Sequence, residues 1–358
     1  MHAIPLWIID SKVKKLNRSV FATLLLVFAF LCLLSVSGVL AHAPLKPGSN
    51  ESLDTATLIP DPTKSWAIYG ELHEGGEAQY YHFNITEGQR IHVMLFKSTN
   101  PEDAEFLPGF VLMGPEISEQ GDVPDYVETP SGSKALVVEG EQPAQASYEP
   151  FSPSSFYSLA DATLDAPSSG TYYVAVYEPS HGGHYGLAIG DRETYSLDEW
   201  ILIPLNLISV YQWERQSLAV IFAPLGATLA IGLGLMVWQL RDRATTYTFF
   251  VWTAALAGLL FLGTGVMALF QMALTLTQAP LVPEIVITII LALVPILLGV
   301  GVLRVVLISG EKVDIRKRVY LVILGILALF AWAGLLVGPA LAIIASVLSA
   351  RTEDSSQA

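Results

Sequence analysis

Cysteine is almost absent from this 358-residue chain: the one thiol is Cys32, inside the first apolar run. No disulfide framework and no cysteine-based zinc site can be built from it. Any exported domain must therefore be held by its hydrophobic core alone, which about 150 residues can supply. Charge is scarce too. Only 15% of residues are charged, where a soluble domain carries roughly 25%. At the same time 52% are apolar and the mean hydropathy is +0.50, which excludes disorder and argues against an ordinary soluble protein. The sharpest local shortage is of basic residues. Positions 42–200 hold six Lys/Arg against twenty-five Asp/Glu, a net of −19, so the rest of the chain carries +5 of the total −14. Such a division is expected of an acidic soluble domain joined to a membrane region with basic cytoplasmic loops. It keeps an exported domain soluble and disfavours nucleic acid as a partner.

Reaction signatures are missing as well. There is no His-Glu-x-x-His, no Gly-x-Ser-x-Gly, no phosphate-binding Gly-x-x-x-x-Gly-Lys and no EF-hand loop. His73-Glu-Gly-Gly-Glu77 opens like a zinc-protease motif but lacks the second histidine, and reads as a turn. The expectation is a protein that is not an enzyme and uses no cofactor.

What the chain does contain is long apolar runs. Lys12, Lys14, Lys15 and Arg18 precede an uncharged stretch over 19–40, and small residues at Val39 and Ala41 suit cleavage after Ala41. This reads as a signal peptide, with an uncleaved anchor as the alternative. Four further runs, 218–240, 247–269, 285–308 and 319–348, are each long enough to span as a helix. Uninterrupted apolar runs lack the alternation of barrel strands, so the region is expected to be a helical bundle. Arg241 and Arg243 follow the first run, and Lys312, Arg316, Lys317 and Arg318 follow the third; the loop 271–284 has no Lys or Arg. The positive-inside rule then places the acidic domain outside. Four crossings would return the tail 349–358 to that same external side. No carboxylate or histidine lies at mid-depth in any run, and Arg304 is close enough to a helix end to snorkel, which disfavours ion-driven transport. Gly226, Ala230 and Gly234 form a small-residue face suited to helix packing within the chain or, alternatively, to a homo-oligomer interface.

Between the two regions, Ser196 and Glu199 have capping-box spacing. The segment 200–213 is expected to be a helix at the outer membrane interface, with Trp200, Tyr211 and Trp213 as aromatic anchors, or else a helix continuous with the first span.

From 65 to 191 the pattern changes to period two, with strand-like segments at 66–72, 78–85, 90–96, 109–113, 135–138, 171–177 and 185–190. About seven short strands without a long amphipathic helix predict an antiparallel sandwich. Tyr81, Phe83, Ile85 and Ile91, Val93, Leu95 alternate with polar residues around the turn Thr86-Glu-Gly-Gln89, which predicts a hairpin. That pairing would set His82 opposite His92 on the solvent face. Two imidazoles there could bind a divalent metal, with help from His42 as a new amino terminus or from His181-Gly-Gly-His184, although nothing in the pattern brings in a third ligand. Asn50-Glu-Ser52 and Asn84-Ile-Thr86 are glycosylation acceptors by pattern.

The order Asn50-Glu-Ser-x-x-x-Ala56, Ile68-x-Gly70-x-Leu72, Gln79-Tyr-Tyr-His-Phe83, Glu87-Gly88-Gln-Arg-Ile91 and Gly170-Thr-Tyr-Tyr-Val-Ala-Val176 resembles the bacterial pre-peptidase C-terminal domain. That family is a jelly-roll-like β-sandwich found outside secreted proteases and on surface proteins, so the resemblance implies a fold more than a function. It leaves the membrane region unassigned.

The expected organisation is therefore a signal peptide over 1–41, a jelly-roll-like antiparallel β-sandwich over 42–195, an interfacial helix over 196–215, a four-helix transmembrane region over 216–348 and an external acidic tail. The expected function is non-enzymatic binding of a protein, glycan or cell-surface component outside the cell, anchored in membrane lipid. The alternative is an extracytoplasmic metal-handling or small-solute transport protein.

Overall fold

The structure, a computed structural model, describes residues 42–241, 249–307 and 314–348. The signal-peptide reading, the basic positions Arg243 and Lys312, and the acidic tail lie outside the described residues. Among the described residues eleven strands are followed by six α-helices. The strands are β1 (Ala43–Leu45), β2 (Thr57–Leu58), β3 (Trp66–Leu72), β4 (Glu77–Ile85), β5 (Arg90–Ser98), β6 (Gly109–Gly114), β7 (Lys134–Val138), β8 (Ser147–Glu149), β9 (Ser154–Asp165), β10 (Gly170–Glu178) and β11 (Gly183–Ile189). The helices are α1 (Leu197–Trp213), α2 (Leu218–Arg241), α3 (Phe249–Thr275), α4 (Ile285–Leu307), α5 (Ile315–Phe330) and α6 (Val337–Val347). They fall into two compact units, one of residues 40–221 with 270–285, the other built on 222–269 and the residues from 286 onward.

In the first unit, one sheet has the order β1-β3-β11-β5-β9-β8 and the other β2-β4-β10-β6-β7. Most pairs are antiparallel, but β1 runs parallel to β3 and β2 to β4, so both sheets are mixed and the all-antiparallel expectation is corrected at these two edges. Every connection except β6–β7 and β8–β9 passes from one sheet to the other. This crossing also overturns the expected hairpin. The turn after β4, with Gly88 at φ 79°, carries the chain across the core instead of back along its neighbour. The turn is fixed from the adjoining arch: the Gly88 N–H donates to the Ala166 carbonyl, that of Ala166 to the Gln89 carbonyl, and that of Glu87 to Ser169 Oγ. Alternation correctly marked which side chains face inward, because Phe83 and Ile91 both enter the core, but they do so from opposite sheets.

That core joins Ile68, Val93, Leu95 and Leu187 of one sheet to Tyr81, Phe110, Leu112 and Val174 of the other, all fully buried. Both outer faces are covered as well. Tyr80, Val111, Met113 and Tyr177 lie under the segment around Val123 and Val127, and Met94, Phe96 and Ala188 lie under Trp213. Double coverage explains why β6, Gly-Phe-Val-Leu-Met-Gly, is buried at every position and shows no alternation.

Helix α1 starts where its capping box predicts, with Glu199 N–H on Ser196 Oγ and Ser196 N–H on Glu199 Oε2. Lys64 Nζ clamps Glu199 at 2.6 Å. Its buried side chains include Tyr211 and Trp213. Trp213 Nε1 donates to the Tyr185 carbonyl at 3.1 Å, so these two rings pack on protein, and their reading as membrane-interface anchors is corrected. The helix is not continuous with α2: Glu214 caps it and Arg215 turns through φ 63°. Segment 270–285 belongs to the same unit, where Met272, Leu276, Ala279 and Val282 pack with Ala146 and Tyr148.

In the second unit, α2, α3 and α4 are long and apolar enough to cross a membrane. α3 and α4 approach closely, since a Cβ on Gly299 would meet the Gly258 carbonyl oxygen at 2.6 Å and one on Gly265 the Ala292 oxygen at 2.4 Å. That seam, not the Gly226, Ala230, Gly234 face, carries the small-residue packing. Those three residues are exposed and nothing lies within 4 Å of a Cβ placed on Gly226 or Gly234 among the described residues. The run 319–348, expected as one span, is two helices. α5 and α6 form an antiparallel hairpin, in which Gly325 packs against Pro339 and Ala342, and Arg318 Nη1 donates to the Ser346 carbonyl. Gly334, at φ 78°, sits in the connection, and Pro339 lies in the first turn of α6, where a missing N–H costs nothing. Among the described residues three helices are thus long and apolar enough to cross a membrane, and the fourth run is a hairpin of two shorter helices.

Candidate ligand cleft

A cleft of about 270 Å³ opens at one end of the six-stranded sheet. β3 supplies Tyr69, Gly70 and Glu71, β4 supplies Gln79, β11 supplies His184, the segment before β2 supplies Asn50, and α1 closes the wall with Trp213. Gly70 is required at its position. A Cβ there would fall 2.4 Å from the Tyr185 ring, which occupies the space beneath it.

Under the floor runs a chain of short hydrogen bonds: Tyr81 and Tyr185 hydroxyls at 2.5 Å, Tyr185 OH to Gln79 Oε1 at 2.5 Å, and Gln79 Nε2 to the Glu71 carbonyl at 2.7 Å. Burial pushes the Tyr81 hydroxyl up to about 12 and holds that of Tyr185 well above the ordinary tyrosine value, so both stay protonated and can donate. Asn50 is 2% exposed and lies close enough to these two hydroxyls to lower both tyrosines by hydrogen bonding, although its buried Nδ2 makes no bond of regular geometry. His184 packs its ring 6.5 Å from that of Trp213 and points Nε2 toward Glu71 Oε2 at 3.5 Å, while its Nδ1 has no partner. Tyr69 crosses the Trp213 ring edge-on at 5.0 Å. Among the described residues no Lys or Arg lines the cleft. Its lining combines the amides of Asn50 and Gln79, the imidazoles of His73 and His184 and the Glu71 carboxylate with the rings of Tyr69 and Trp213, a set that suits a neutral polar ligand better than an anion.

The residues singled out in the sequence are dispersed. His82 and His92 stand on opposite outer faces, since their strands belong to different sheets. His82 pairs through Nδ1 with the Ala56 carbonyl and lies 5.7 Å from the Tyr173 ring. His92 is gripped by two carboxylates, Asp191 at 2.5 Å on Nδ1 and Asp161 at 2.9 Å on Nε2. The parallel edge strand β1 brings His42 into this neighbourhood, Nδ1 lying 2.5 Å from Ser65 Oγ. Burial first, then the charge of His92, lowers His42 to about 4. This end of the chain is packed on the sandwich, with Ala43 buried in the core. His181 faces Glu105 at 3.5 Å, and His184 belongs to the cleft. Among the described residues no group of three or more His, Cys, Asp or Glu is placed to hold a metal ion. Asn84 is exposed on β4 and accepts from Thr171 Oγ1. Asn50, by contrast, is 2% exposed in the folded domain.

No protein-family model matches the chain, and no curated protein matches it significantly.

Proposed function

We propose that this chain is a non-enzymatic, membrane-anchored binding protein whose β-sandwich lies outside the cell and uses the cleft to hold one end of a neutral glycan. The observation that carries the reading is that Asn50 and His184, whose Nδ2 and Nδ1 are buried without hydrogen-bond partners, both line one cleft beside Tyr69 and Trp213. Leaving a polar atom unpaired and out of water costs about 1–3 kcal/mol, which a ligand hydroxyl would offset. A sugar ring presents such hydroxyls, carries no charge to be repelled by Glu71, and can lay its C–H groups on the electron-rich face of an aromatic ring.

External placement rests on the loop charges and the preceding signal-like segment. Membrane anchoring is supported by the three apolar helices. The likeness to the pre-peptidase C-terminal domain belongs to the same reading and is supported by its quoted residues falling on β3, β4 and β10. The face of Gly226, Ala230 and Gly234, open among the described residues, is where a homo-oligomer would form.

The test is a titration of the detergent-purified chain with a panel of neutral mono- and oligosaccharides, followed by Trp fluorescence, since Trp213 lines the cleft. Asn50→Ala and His184→Phe should each abolish the response of any binder. A saccharide response that persists in both variants would show that the cleft is not the site.

A further inference from the structure

We infer that residues 315–348 form a re-entrant hairpin that enters and leaves the membrane on the same side, so that the chain crosses three times after the β-sandwich and its C-terminal tail lies on the opposite side from that domain. The argument begins with length. A helix rises about 1.5 Å per residue against a hydrocarbon core of roughly 30 Å. The 11 residues of α6 therefore reach about halfway, and the 16 of α5 also fall short of the roughly 20 needed.

Contacts within the helical unit give the depth. The connection between α5 and α6 meets α3 near the middle of that 27-residue helix. A Cβ on Gly334 would lie 2.7 Å from the Phe261 ring, one on Gly338 equally close to the same ring, and the Gly334 N–H donates to Thr264 Oγ1 at 3.0 Å. The open end of the hairpin is its basic end, where Arg318 of α5 holds the Ser346 carbonyl of α6. Arg316, Lys317 and Arg318 are thus next to the point where the chain leaves the hairpin, and basic residues of a short loop mark the cytoplasmic side.

Non-helical backbone at membrane depth is tolerated only where protein satisfies and covers it. Both conditions hold here. The Ala333 N–H reaches the Ala328 carbonyl at 2.9 Å, Gly338 the Gly334 carbonyl at 2.7 Å and Val337 the Leu335 carbonyl at 2.8 Å. Ala333 is fully buried, in a cluster with Phe261, Val294 and Leu298 of α3 and α4.

The experiment is cysteine labelling of the full chain in a Cys32→Ser background, using an impermeant thiol reagent on intact and permeabilised cells. Ser133→Cys reports the β-sandwich, Gln278→Cys the loop after α3, and Ser355→Cys the tail. Three crossings put the first two on one side and the third on the other: Ser355→Cys should lose its labelling in intact cells while the other two keep theirs. Labelling of Ser355→Cys on the same side as Ser133→Cys overturns the hairpin topology. The reverse pattern, with only Ser355→Cys reactive in intact cells, keeps the odd number of crossings and instead removes the external placement on which the proposed function rests.

Discussion

The guanidinium of Arg215 donates to Asp103 at 3.1 Å, joining the turn that follows α1 to a carboxylate whose side chain is fully buried in the β-sandwich. The same carboxylate belongs to a loop that Lys97 ties down through the carbonyls of Asp103, Ala104 and Phe106 at 2.7–3.0 Å. Burial lowers the Lys97 ammonium from its ordinary value, against the opposing pull of Asp103. Removing one member of a buried ion pair strands the other, at about 3–5 kcal/mol, less where one partner is part-exposed like Arg215. Arg215→Ala should therefore destabilise the domain by about 2–3 kcal/mol in denaturant unfolding followed by Trp fluorescence. Arg215→Lys should recover part of the loss. Equal stability of Arg215→Ala and the parent would mean that Asp103 needs no counter-charge.

The packing of Trp213 sets a boundary for expression. A fragment ending at 194 removes α1 and uncovers Met94, Phe96 and Ala188, whereas one ending at 216 keeps the cover. Both fragments lack segment 270–285, which packs on Ala146 and Tyr148, so their comparison isolates α1: 42–194 should be less stable than 42–216 and bind more of a hydrophobic dye. Trp213→Ala within 42–216 should cost about 3–5 kcal/mol. If 42–194 matched the longer fragment in urea midpoint, α1 would be no part of the domain.

How far the sequence led can be judged residue by residue. Alternation placed Tyr81, Phe83, Ile91 and Val93 inward because burial of one face leaves a period-two signature. It could not say which strand lies beside which, since a short glycine turn serves an arch between sheets as well as a hairpin, and the His82–His92 pair was lost with that choice. β9 was missed because its inward positions Ala160 and Ala162 are small and Asp161 interrupts the run. The hairpin of α5 and α6 was hidden for the opposite reason: Ala331 to Leu336 is as apolar as the helices it joins, and only Gly334 signals the break. The cleft was illegible because its walls come from residues as distant as Asn50 and Trp213, although Asn50 had drawn notice for another pattern.

Core and surface on β4 differ by one position. Phe83 is fully buried, stacked 6.1 Å from Tyr172, whereas His82 is on the outer face with one backbone partner. Phe83→Ala should cost about 3–5 kcal/mol and His82→Ala about 1 kcal/mol or less, the worth of one hydrogen bond. Chemical denaturation of the two variants checks this, and equal losses would refute the inward assignment.

Stability should also depend on pH in two opposite senses. Burial raises Glu149 from 4.5 to about 7, with Glu193 adding to the shift, and burial raises Glu214 to about 8 against hydrogen bonds from Gln216 and Ser154. A carboxyl that is harder to ionise in the folded state contributes fully below its unfolded value, and the contribution is lost as pH rises through the folded value. These two groups should thus weaken the fold progressively between about pH 5 and 8. His42 acts the other way. Its folded value is depressed to about 4, so its contribution is complete above the ordinary 6.5 and fades as pH falls toward 4. Melting temperature of the detergent-solubilised chain measured across this range should pass through a maximum. The double variant Glu149→Gln, Glu214→Gln should flatten the alkaline limb and leave the acid limb in place, while His42→Gln should flatten only the acid limb. If the double variant declined between pH 6 and 8 as steeply as the parent, the two carboxyls would already be ionised in the folded protein, and their assignment as neutral acids would fail.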